Sequence, residues 1–86
     1  MDVDANKACG RCLARLRRES GLTQVELAAR LAVPQSYVSK IETGERSLRA
    51  YELFGYATAL GISAESLVSK LERTLCGNEK GHQSKD

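Results

Sequence analysis

Four residues in this 86-residue chain carry thiol or imidazole groups: Cys9, Cys12, Cys76 and His82. Cys9 and Cys12 form a C-x-x-C pair. Cys76 and His82 would complete a four-ligand zinc set if the two ends of the chain met. The same two N-terminal cysteines, however, fall with Leu13 and Leu16 at i, i+3, i+4 and i+7, the stripe of an amphipathic helix. Free thiols on such a stripe behave as small hydrophobes. The 3 cysteines also make no paired disulfide framework. No metal and no cofactor are expected. Catalysis has little to draw on either: His82 is the only histidine, no nucleophile stands beside a base, and there is no Gly-rich phosphate loop. Neither an enzyme nor a small-molecule site is expected.

Charge and uncharged hydrogen-bonding groups offer more. The net charge is +2, yet residues 11–49 carry eight Arg or Lys against four Glu, while the segments on either side are each net −1. A basic middle between mildly acidic ends suits a face that binds a polyanion; charges scattered for solubility would give the same counts. Inside that segment runs Gln35-Ser36-Tyr37-Val38-Ser39-Lys40-Ile41, where only Val38 and Ile41 are aliphatic. Its open side is polar and rich in hydrogen-bonding groups rather than simply charged.

The elements that must hold these residues are all helical. Hydrophobic residues make up 42%, charged residues 28% and aromatics 5%, a balance that fits a helical domain better than a disordered chain or an all-β barrel. No apolar run approaches the roughly 18–20 residues of a membrane span, and no signal-peptide core follows Met1. A cytoplasmic location is expected. A first helix ends near Glu19, with Gly21 available for a left-handed cap. Thr23 and Glu26 have the spacing of a capping box for a second helix over 24–31. Pro34 suits the first turn of a third, over 34–42. A fourth, over 49–60, is expected to be capped by Ser47 and stopped by Gly61, with Leu53, Tyr56, Ala57 and Leu60 inward. A fifth, over 64–76, is expected to be capped by Ser63 and stopped by Gly77, with Leu67, Val68, Leu71 and Leu75 on one side. The domain should therefore span 5–76, with 1–4 and 77–86 as disordered ends.

Helices two and three meet the requirements of a helix-turn-helix. Ala28 is small where the helices cross, Ala32-Val33 make the tight turn, and Val38 and Ile41 anchor the second helix. Leu16-Arg17, Gly21-Leu22-Thr23-Gln24-x-Glu26-Leu27-Ala28 and Val38-Ser39-Lys40-Ile41-Glu42-x-Gly44 resemble the phage repressor and Cro type of helix-turn-helix, the XRE family. Glu52-Leu53, Ala57, Ala59-Leu60-Gly61-Ile62 and Leu67 continue the pattern, so the resemblance covers roughly residues 9–72. One departure lies in the turn, where Ala32 stands at a position the family often gives to glycine.

The resemblance implies an all-α, five-helix, lambda-repressor-like domain that binds double-stranded DNA with its third helix in the major groove. Carried over by position, Gln35 would face an adenine edge, Ser36 and Lys40 would lie beside it, and Tyr37 and Ser39 would flank them. Gln24 resembles a phosphate-clamping residue at a helix N-terminus. Thr43, Arg46 and Arg49 would grip the backbone beyond. Arg17 and Glu42 are assigned to a partly buried salt bridge. The implied activity is transcriptional regulation as a repressor or autoregulator, a plan shared with restriction–modification controller proteins. Two reading helices require a homodimer, for which Tyr51, Phe54 and Leu75 in the C-terminal half are the candidate contacts. The alternative from another class is an antitoxin or bridging protein; residues 77–86 hold no apolar anchor for such a partner.

Overall fold

Five α-helices follow one another in the computed structural model, which describes the backbone of residues 3–83 and the side chains of residues 5–76. They are α1 (Val3–Glu19), α2 (Gln24–Leu31), α3 (Gln35–Thr43), α4 (Glu52–Leu60) and α5 (Ala64–Gln83). Among the described residues there is no strand, and no helix is long and apolar enough to cross a membrane.

Local chemistry sets most of the boundaries. Thr23 caps α2 as its spacing predicts: its hydroxyl accepts from the Glu26 amide at 3.0 Å, and the Glu26 carboxylate accepts from the Thr23 amide at 2.9 Å. At the other end Ala32 is left-handed (φ 59°), and its amide closes the helix by donating to the Ala28 and Ala29 carbonyls. A side chain in that conformation costs roughly 1–2 kcal/mol, which the packing on either side of the turn has to offset. Pro34 lies one residue before α3, in extended backbone, rather than inside its first turn. Ser63 caps α5, accepting from the Ser66 amide at 3.0 Å.

Three expected ends move. The fourth helix begins at Glu52, not at 49, and Ser47 does not cap it. Instead the Glu52 carboxylate turns back to accept the Arg49 amide at 2.8 Å, which closes a separate turn ahead of the helix. The fifth helix continues through Gly77 to Gln83; one glycine in a helix interior costs only about 1 kcal/mol relative to alanine. The first helix begins at Val3, within the segment 1–4 expected as a disordered end. Residues 1–2 and 84–86 of the expected ends lie outside the described residues.

The core is built from Cys12, Leu13 and Leu16 of α1, Leu27 and Ala28 of α2, Val38 and Ile41 of α3, Tyr56, Ala57 and Leu60 of α4, and Leu67 of α5. Val68, expected inward, is exposed because Leu67 and Leu71 already define the buried side of α5. Tyr56 is fully buried and its hydroxyl has no hydrogen-bond partner among the described residues; burial pushes its phenol pKa well up, so the ring stays neutral. The tightest contact joins α1 to α3. A Cβ on Gly10 would stand 2.4 Å from the Ile41 carbonyl oxygen and 2.5 Å from that of Glu42, so the two helices cross there backbone on backbone.

That contact makes Gly10→Ala an informative change. Alanine favours the helix by about 1 kcal/mol, whereas forcing an extra carbon into a packed backbone contact costs roughly 1–3 kcal/mol. The clash should win, lowering the melting temperature by on the order of 10 °C. Thermal denaturation followed by circular dichroism checks this, and an unchanged melting temperature would show that α1 has room to move away.

Candidate nucleic-acid interface

Val38 and Ile41 bury one side of α3 and so oblige the opposite side to face outward. Gln35, Ser36 and Lys40 are exposed there, with Tyr37 and Ser39 half-buried on the flanks. The element is short, and its orientation is fixed by its neighbours: α1 and α2 both pack against it.

A chain of polar contacts runs from beneath this face to its surface. Arg17 on α1 donates to Glu42 on α3 through two bonds, Nε to Oε2 at 2.7 Å and Nη2 to Oε1 at 3.1 Å. Its third bond, from Nη1, reaches the Leu22 carbonyl at 2.8 Å. The side chains of Arg17 and Glu42 are 11% and 6% exposed, so the pair is largely withdrawn from water. The bond to Glu42 raises the Arg17 pKa further above its ordinary value. Glu42 Oε1 also accepts the Gln24 amide nitrogen at 2.9 Å. With that nitrogen engaged, Gln24 turns its oxygen outward, where it accepts from Gln35 Nε2 at 3.2 Å. The Gln35 amide is thereby oriented with its own oxygen and one N–H still available. An amide in that state can donate and accept at once, which is what the N7 and N6 edge of adenine requires.

Beyond α3 the chain folds back on the helix end. The Lys40 carbonyl accepts the amides of Glu45 and Arg46 at 2.9 and 3.1 Å, and the Thr43 hydroxyl donates to it at 3.2 Å. Arg46 lies over the Tyr37 ring, 4.5 Å from its centre, and meets Glu52 through two bonds of 3.0 Å. The Arg46 guanidinium, chiefly, holds the Glu52 carboxyl down to about 2. Burial, and then Glu52, push the Tyr37 phenol up. Arg49 is exposed and donates to the Tyr51 hydroxyl at 3.2 Å.

The structure thus brings Gln24 and Gln35 together, sets Arg17 and Glu42 2.7 Å apart as an ion pair, and groups Tyr37, Arg46 and Arg49 around a carboxylate absent from the expected site. The sequence marks Glu52 only as part of the family pattern, because its partners lie across a loop, where helical periodicity gives no signal. Gly10 could have been noticed: a glycine retained inside a helix points to a close approach. Cys12 is buried, Cys9 half-buried and Cys76 exposed, while His82 lies outside the residues whose side chains are described. Among the described residues no group of three or more potential ligands could hold a metal.

Comparison with known proteins agrees with this geometry. The Helix-turn-helix family HTH_3 matches residues 13–67. An uncharacterized HTH-type transcriptional regulator, y4dJ of Sinorhizobium fredii, is 43% identical over 75 residues, covering 87% of this chain and 97% of that protein. The control protein C.MunI of a Mycoplasma species is 34% identical over 65 residues, covering 74% of this chain and 88% of its own. Among solved structures, an XRE-family like protein from Pseudomonas syringae superposes with a TM-score of 0.70 at 42% identity, covering 80% of this chain and 84% of that one. The restriction-modification controller protein C.AhdI from Aeromonas hydrophila gives a TM-score of 0.67 at 35% identity, covering 77% of this chain and 98% of that one.

Glu42→Ala leaves the Arg17 guanidinium and the Gln24 amide without their acceptor in a poorly solvated place. Removing one partner of a buried pair costs about 3 kcal/mol, so the thermal midpoint should fall clearly, and by less in Glu42→Gln. Equal midpoints for Glu42→Ala and the wild type would show that the pair does not tie α1 to α3.

Proposed function

The chain belongs to the XRE-type Helix-turn-helix family HTH_3, a family of transcriptional regulators and not of enzymes, and from that premise we propose that it binds double-stranded DNA sequence-specifically, reading the major groove with α3 as a homodimer. The observation that carries the reading is the two-sidedness of α3. Its aliphatic anchors are buried, and its outward residues are hydrogen-bonding side chains, one of them oriented by a relay of amides. Gln35, Ser36 and Lys40 are the base-edge candidates. Ser39 and Tyr37 flank them, Thr43 and Arg49 are the phosphate candidates, and Gln24, whose outward oxygen can only accept, would serve by orienting Gln35 rather than by clamping phosphate with its side chain.

A dimer sets two such helices about 34 Å apart, in successive grooves. Of the three apolar candidates, Phe54 fits the contact best. It is 65% exposed and lies between two shallow grooves. One includes Arg30 and Leu31, the other Val68, Glu65 and Glu72. A two-fold axis near Phe54 would bring the Arg30 side of one protomer to the acidic side of the other, the self-complementarity an isologous contact needs. Tyr51 instead partners Arg49, and Leu75 faces the cleft beside Cys9 and Leu71. In operation, the dimer would regulate by occupying its operator, as a repressor or autoregulator. The control and controller proteins among its relatives support this use.

Selection of bound duplexes from a random pool tests the reading. Gln35→Ala should relax one position in each half-site, at a cost of roughly 1–3 kcal/mol there, with other positions kept. A wild-type protein indifferent to every duplex would end the proposal. For the dimer, Phe54→Lys should sediment as a monomer and lose binding to the paired half-sites while keeping the wild-type helical content by circular dichroism, since the residue is exposed in the single chain; an unaltered dimer would exclude Phe54 from the contact.

A further inference from the structure

Carried over by position, Arg46 would grip phosphate, but its guanidinium is engaged three times within the chain, Nη1 donating to the Ser47 carbonyl at 3.0 Å. One edge makes a two-point pair with Glu52 at 3.0 Å, and one face lies on the Tyr37 ring. We infer that Arg46 and Glu52 are positioning residues, an internal strut that fixes Tyr37 beside the outward side of α3, and that the electrostatic hold of this loop on DNA belongs to Arg49. This rests on the reading of α3 as the DNA-reading helix.

Three observations carry it. Three of the five N–H donors of Arg46 are already taken within the chain, and a phosphate that displaced the carboxylate would cost it a two-point charge-assisted pair and its ring contact together. It would also leave the Glu52 carboxylate uncompensated next to a polyanion. The carboxylate does more than neutralise: it accepts the Arg49 amide at 2.8 Å while holding Arg46, so one group ties residues 46, 49 and 52 into a preformed loop. A loop already ordered before binding loses less conformational freedom in the complex. Arg49, by contrast, is exposed and bonded to a neutral hydroxyl. The Tyr37 ring, packed against the core on one side and covered by Arg46 on the other, has little freedom left. Its contribution to recognition is therefore one of fixed shape.

Lysine separates a strut from a cation, because it keeps the charge of arginine but neither the planar fork nor the stacking face. Binding of the duplex selected by the wild type, and of a scrambled duplex, is measured over a range of salt for Arg46→Lys, Arg46→Met and Arg49→Met. As a strut, Arg46 is replaced equally badly by lysine and methionine: both lose roughly tenfold on the selected duplex, with the salt dependence unchanged. Arg49→Met instead weakens both duplexes alike and lowers the salt slope by about 0.9, one phosphate contact. Wild-type preference and affinity in Arg46→Lys, with a flattened slope in Arg46→Met, overturns the inference. Should the Arg46 variants fail to fold, Glu52→Gln decides: the strut requires weaker binding of the selected duplex although a negative charge has been removed, and unchanged or tighter binding overturns it. A wild-type protein that prefers no duplex overturns the DNA-reading premise as well, whereas retained preference in Arg46→Lys overturns the strut alone.

Discussion

The Glu42 carboxylate stands on α3, receives the Arg17 guanidinium from α1 and accepts the Gln24 amide from α2, so that one charged group fixes three helices relative to one another. Buried ion pairs are often no more stabilising than apolar residues of the same shape, because both charges must be desolvated. What this pair supplies is direction. A carboxylate can only accept, so Gln24 must turn its nitrogen inward and its oxygen outward, and Gln35 must answer with a nitrogen. The sign of a charge withdrawn from water thus decides which atoms of a surface amide remain available to a ligand.

Two further constraints keep that polarity in place. Gly10 lets α1 lie directly on the last carbonyls of α3, and the loop after α3 closes on the Lys40 carbonyl and on Glu52. Helix α3 is held from behind by α1 and α2 and at its end by hydrogen bonds from the following loop. A helix of 9 residues is too short to be stable alone in water, so its order is entirely a property of these contacts.

The helices were legible wherever spacing or capping chemistry spoke: the Thr23–Glu26 box and the Ser63 cap are found as read, and of the Cys9, Cys12, Leu13, Leu16 stripe all but the half-buried Cys9 lie in the core. Errors lie where neither periodic spacing nor a preceding cap residue fixes the backbone. Helix four starts late because Glu52 reaches back across a turn to Arg49. Gly77 fails as a stop because a glycine ends a helix only where a left-handed turn is also favoured. Val68 was misassigned because α5 buries a narrower strip than its apolar composition suggests. The ion pair of Arg17 and Glu42 came from family resemblance, and nothing in the local pattern announced it. The Tyr37–Arg46–Glu52 group had no periodic signature at all.

The backbone contact at Gly10 bears on how such a domain can acquire new targets. Where two helices meet through side chains, a changed residue can be absorbed by a slight shift of the crossing angle, and recognition drifts along with it. Here no such cushion exists. On the proposed reading of α3, divergence among copies of this scaffold would be channelled into exchange of its few outward groups, a discrete alphabet presented at a constant docking angle, with gradual reorientation of the helix closed off as a route.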